Sequence, residues 1–192
     1  MKRSPVTAAL LAVCLSVLFV GRASASPITY IWEGSLSGSL AGNAFTAEPF
    51  VLTINTDTAN IAPYANGLFV PNDSVTIDIL SQTLTINSTT ITYLNDDFDG
   101  ITFSNDDLEY DILLMFNPAL DGFDLASPFG PLVVSPPDTF VSSAGTPLIT
   151  SGGNLLIADN ANATLTFTAV PEPASAALLA VGGLVLIRRG AK

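Results

Sequence analysis

The chain has 192 residues, with 6 lysines and arginines against 17 aspartates and glutamates, no histidine, 1 cysteine and a formal net charge of −11. All the basic residues lie near the ends, as Lys2, Arg3, Arg22, Arg188, Arg189 and Lys192, so Ser26–Val170 holds every carboxylate except Glu172 and no cation at all. Such a segment repels nucleic acids and other phosphate-bearing partners, lacks a histidine or lysine base for a serine nucleophile and excludes histidine-ligated zinc. What remains is carboxylate, hydroxyl, amide and aromatic chemistry.

Lys2 and Arg3 precede an apolar run from Val6 to Val20, and the small-residue triplet Ala23-Ser24-Ala25 follows. A basic start, an apolar stretch and an A-x-A site describe a secretory signal peptide over residues 1–25, cut by signal peptidase after Ala25 to leave Ser26 as the first mature residue. Cys14 lies inside the apolar run and would leave with it, so disulfides and thiol chemistry are not expected of the exported domain.

From Ser26 onward a two-residue period dominates. In "ITYIWEG", Ile28, Tyr30 and Trp32 alternate with Thr29, Ile31 and Glu33, and "PFVLTINT", "SVTIDIL" and "QTLTINS" repeat the pattern. Thr90–Leu94, Ile101–Ser104, Leu108–Phe116, Asn154–Ala158 and Ala163–Val170 complete a set of short strands, separated by turn-forming clusters such as "SLSGSLAGN", "TDTAN" and "NDDFDG". The expectation is an all-β domain over residues 26–169, an antiparallel sandwich or jelly roll. Two stretches, Asn60–Asn72 and Asn117–Gly153, read as long surface connections, with a short extended piece at Leu132–Val134.

Three features of the domain suggest ligands. Asn95, Asp97 and Asp99, with Gly100 for a tight turn and Asp106 twelfth in the run, imitate the spacing of a calcium loop; a solvated hairpin turn uses the same residue types. Tyr64 and Phe69, in an expected loop, are candidate stacking groups for a glycan, whereas Tyr30 and Trp32 alternate with Ile28 as core residues do. Asp97, Asp99, Asp107 and Glu109 offer carboxylate pairs of the kind that hydrolyse glycosidic bonds, and Thr83/Thr85, Thr90/Thr92 and Thr164/Thr166 are threonine pairs at strand spacing, ordinary for exposed strand faces.

The chain closes on Val170-Pro171-Glu172-Pro173-Ala174, an uncharged stretch through Ile187, then Arg188, Arg189 and Lys192. As a helix, Ala174–Ile187 would reach about 21 Å against a hydrocarbon core of roughly 30 Å, a marginal span. Its basic end would stay cytoplasmic and the Pro-Glu-Pro peptide would stand at the outer boundary. These parts, in this order, resemble the PEP-CTERM sorting signal of exported proteins in Gram-negative-type bacteria. The resemblance covers residues 170–192. It implies an exosortase, a membrane-embedded processing enzyme, as partner, with passage from the inner membrane to the cell surface or matrix and a link to extracellular polysaccharide or biofilm. The expected role is therefore structural or adhesive and non-enzymatic, with a calcium-assisted carbohydrate-binding module as the first alternative and a carboxylate-dependent glycosidase as the second.

Overall fold

The computed structural model describes residues 26–106, 110–143, 145–159 and 163–172. Residues 1–25 and 173–192 lie outside them, and with them the expected signal peptide, Ala23, Ala25, Pro173, Ala174, Arg188, Arg189, Lys192 and the short terminal helix. Among the described residues no helix is long and apolar enough to cross a membrane.

The alternating segments form two antiparallel sheets. The larger is built on β1 (Pro27–Leu40) and β2 (Asn43–Asp57), a long hairpin closed at Ala41-Gly42, where both residues have positive φ, 50° and 84°. Two left-handed residues in a two-residue loop make the turn whose twist matches the flanking strands. β5 (Ser74–Ile79) and β6 (Gln82–Thr85) continue the sheet beyond β2. On the other side of β1, its first half pairs with β14 (Leu165–Pro171) and its last residues pair with β13 (Gly153–Ile157). β10 (Phe129–Val134) extends the β14 side, and β12 (Leu148–Thr150) extends the β13 side.

The smaller sheet runs in the order β11 (Thr139–Val141), β9 (Tyr110–Phe116), β8 (Gly100–Asn105), β7 (Thr90–Asn95), β4 (Gly67–Pro71) and β3 (Ala62–Tyr64). Its inner face packs on the larger sheet. Leu52 and Ile77 of one sheet and Phe103 and Leu113 of the other line a single narrow gap between them. Tyr30, Trp32 and Phe167, all fully buried, anchor the core, with the Trp32 and Phe167 rings 5.1 Å apart, edge to face. The Tyr30 hydroxyl donates to the Leu125 carbonyl, which satisfies the polar tip of a ring that is otherwise in hydrocarbon.

Where the chain passes between sheets, polar side chains satisfy the backbone. The Thr56 hydroxyl donates to the Pro71 carbonyl, and Asn72 bonds both Thr90 and Thr92. At another corner Ser143 both accepts from the Ile157 amide and donates to its carbonyl. The two sheets thus approach closure at their corners.

Sequence expectation and structure differ where turn-forming residues are strand residues. "SLSGSLAGN" is mostly the second half of β1, because only Ala41-Gly42 turns. Asn60–Asn72 is not a loop but contains the β3–β4 hairpin, and Asn117–Gly153 contains β10, which includes the expected extended piece Leu132–Val134, and β11, both paired with strands distant in sequence, and β12, which forms a tight hairpin with β13. Thr90 and Thr92 point into the core side, not to solvent, and their hydroxyls are held by Asn72.

Candidate functional site

Alternation gives every strand of the smaller sheet an outward set of side chains. On β4, β7 and β9 that outward set includes an aromatic ring. Phe69 and Tyr93 are directly opposite each other across the β4–β7 ladder, and Phe116 is outward on β9. Tyr64, at the end of β3, packs edge to face on both Phe69 and Tyr93, with ring centroids 5.8 and 5.4 Å away. Together with Phe98 in the β7–β8 turn they border a groove of about 780 Å³ whose floor is Thr102 and Ser104 of the central strand β8.

The local sequence explains why the groove is open. Gly67 lies so close to β7 that a Cβ there would come 1.9 Å from the Leu94 carbonyl oxygen, so only glycine lets the β3–β4 hairpin lie against the sheet. The tip of that hairpin is laced to the β7–β8 turn. The Asp96 amide donates to the Asn66 carbonyl at 2.8 Å, and the Asn66 side-chain amide donates to the Asp97 carboxylate. These two bonds join the turns into one wall.

Polar groups gather at the opposite end. Ser104 donates to the Asp111 carboxylate at 2.8 Å, and the Tyr110 hydroxyl donates to the Thr146 carbonyl at 2.9 Å. Asp106 and Asn105 complete this end. Burial pushes the Tyr110 phenol above its ordinary pKa, and the neighbouring Asn105 side chain opposes that rise. The Tyr93 phenol is also held high, first by burial and then by Tyr64, Asp96, Asp97 and Asp111, so the groove carries a negative field.

The residues singled out in the sequence fall in and around this groove, though not as expected. Tyr64 and Phe69 line it, from strands rather than a loop, with Tyr64 57 % exposed. Asn95, Asp97 and Asp99 do form a hairpin turn, in which the Asn95 side chain accepts from the Asp97 amide at 2.9 Å. Asp106 does not join them. Gly100–Asn105 is extended strand, and at ~3.3 Å per residue this carries Asp106 roughly 20 Å to the far end of β8, so the twelve-residue calcium spacing does not close on itself. No group of three or more metal-ligating side chains converges among the described residues. Asp107 and Glu109 of the carboxylate-pair reading lie outside them.

Tyr93, Phe98, Tyr110, Asp111 and Phe116 are the groove residues that the sequence reading passed over. For Tyr93 and Phe116 the signal was present as aromatic residues on the second face of strands whose first face was already accounted for by the core, whereas Phe98 stands in a turn and Asp111 in an acidic run. Of the terminal motif, Val170 and Pro171 belong to β14, paired with Thr29 and Ile28, and the exposed Glu172 donates its amide to the Pro27 carbonyl at 3.1 Å. Ser26 and Glu172 therefore leave the domain side by side. Comparison of the chain with protein-family models, with curated proteins and with solved structures returns no significant match.

Proposed function

We infer that this is an exported, non-enzymatic adhesive domain that holds extracellular polysaccharide in the groove of its smaller sheet. The observation that carries the reading is the gathering of Tyr64, Phe69, Tyr93 and Phe116 around one groove on the outward side of a sheet whose inward side already supplies a core. Solvent-facing rings in a concave site cost free energy unless something covers them. Sugar rings present the flat C–H faces and flanking hydroxyls that such a floor, with Thr102, Ser104, Asn95 and Asp111 beside it, can stack on and hydrogen-bond.

Delivery to the polysaccharide fits the terminal sequences. The N-terminal segment would direct export, the Pro171-Glu172-Pro173 signal would hand the precursor from the inner membrane to an exosortase, and the product would reside at the cell surface or in the matrix. Pro171→Ala combined with Glu172→Ala should leave unprocessed precursor in the inner membrane, and normal maturation of that variant would refute sorting through this motif.

The groove is tested by titrating the protein with a panel of soluble oligosaccharides. Tyr93→Ala and Tyr64→Ala should each weaken binding by about tenfold, the loss of one stacking contact worth ~0.5–1.5 kcal/mol plus its buried area, with little change in melting temperature. The oligosaccharide should be recovered uncleaved. Binding indifferent to both substitutions, or none to any sugar, would overturn the assignment.

A further inference from the structure

We propose that the polar end of the groove selects glycans bearing free primary amines, such as glucosamine oligomers, over their N-acetylated, plain neutral or uronic-acid counterparts. This rests on the groove being a glycan site and adds the chemical class of the sugar.

Hydrogen-bonding capacity at this end favours an incoming donor. At this end the donors are already used internally: Ser104 gives its hydroxyl proton to Asp111 and Tyr110 gives its own to Thr146. Acceptors are left over. Asp106 and Asp111 are exposed carboxylates, and a carboxylate accepts up to four hydrogen bonds, of which Ser104 fills one on Asp111. Asn105, by contrast, stands opposite the buried Thr90 in the β7–β8 ladder and its side-chain oxygen is enclosed, so the acceptors open to a ligand at this end are the two carboxylates. A ligand that fits must bring donors, and an ammonium group is three donors with no acceptor.

Charge points the same way. No lysine, arginine or histidine exists anywhere in Ser26–Val170, so Asp106 and Asp111 face the groove with no internal counter-ion. Asp96 and Asp97 add to the field at the aromatic end, where the ring faces of Tyr93 and Tyr64 are themselves attractive to cations. A uronic acid would meet repulsion along the whole groove. An N-acetyl group would bring a carbonyl acceptor to a place already short of donors.

The test is calorimetric titration with four oligomers of equal length, glucosamine, N-acetylglucosamine, glucose and galacturonate, at a pH where the amines are protonated. The glucosamine oligomer should bind about tenfold tighter than the N-acetylated one, as expected for one or two partly exposed charge contacts. Asp111→Asn should erase most of that preference, whereas Asp78→Asn, which removes an exposed carboxylate from the larger sheet, should leave it intact. Equal binding of the amine and N-acetyl forms would overturn the proposal while the groove stands. Equal loss from Asp78→Asn and Asp111→Asn would reduce it to general attraction to an acidic protein, and would also overturn it. Absence of binding by all four, with Tyr93→Ala indistinguishable from the parent, would remove the groove reading as well.

Discussion

The outward faces of the two sheets are built by the same alternation and look nothing alike. On the larger sheet the outward register across β1, β2 and β5 reads Thr29, Asn55 and Ser74, then Ile31, Thr53 and Thr76. Thr29 donates to Asn55 at 2.8 Å and Asn55 to Ser74 at 3.1 Å, so the polar groups of this face are engaged with one another. On the smaller sheet the outward row across β4, β7, β8 and β9 reads Phe69, Tyr93, Thr102 and Leu114, with Phe116 two residues further along β9. A self-satisfied polar face needs nothing from outside. An aromatic one in a concavity does, which is why the smaller sheet, and not the threonine-rich larger one, is where a ligand is expected.

The sharpest way to break this contrast is to damage the inner face of the larger sheet and ask whether the groove notices. Phe167 touches the rings of Tyr30, Trp32, Phe123 and Phe129, and Phe167→Ala should cost about 3–5 kcal/mol in denaturant unfolding. Glycan affinity of the folded fraction should be unchanged, and a parallel loss of affinity would mean that the two faces are not independent.

A smaller effect on stability, with a larger one on binding, is expected at the hinge of the groove wall. Gly67→Ala must push the β3–β4 hairpin away from the Leu94 carbonyl, at about 1–3 kcal/mol for the local overpacking. Because Tyr64 and Phe69 ride on that hairpin, binding should fall with it, and a crystal structure or chemical shifts of β3 and β4 would show the displacement. Wild-type affinity in Gly67→Ala would show that the rings of β3 and β4 are not part of the site.

The smallest effect concerns acid. Burial favours the neutral form of Asp124, but its carboxylate accepts from the Ala126 and Ser127 amides and the Ser127 hydroxyl, and these bonds win, holding its pKa below the ordinary value. A carboxyl depressed in the folded state contributes stability above its unfolded pKa and loses it as pH falls through the folded one. Asp124→Asn should therefore flatten the pH dependence of stability only at and below the usual carboxylate range. The turn it caps also positions the Leu125 carbonyl beneath Tyr30, so any structural consequence should appear on the larger sheet and leave the groove untouched.

Much of the fold was legible because half-buried strands have a period that survives in a single sequence. Ile28, Tyr30 and Trp32 were read as core and are buried, and each strand expected from alternation is present with shifted ends. What escaped was pairing between segments with little alternation of their own. Only Leu132–Val134 of β10 was expected to be extended; β10, β11 and β12 are strands because β14, β9 and β13 lie beside them, and a ladder hydrogen bond is indifferent to side chains. The turn at Leu80-Ser81 escaped for a related reason. Both residues have positive φ, 54° and 58°, without the glycine or asparagine that normally announces it, so the flanking β5–β6 ladder imposes it.

By itself the sequence determined the chemistry this protein can use: an acidic domain without cations, restricted to rings, hydroxyls, amides and carboxylates, between two ends that read as export and sorting signals. The tertiary structure decided which of those groups meet. Tyr64 and Phe69 join Tyr93 and Phe116 from four different strands, while Asp106 is carried away from Asn95 by the strand between them. Composition is a property of the chain, but convergence depends on strand register and sheet order, which are fixed only when the faces that must be buried find each other.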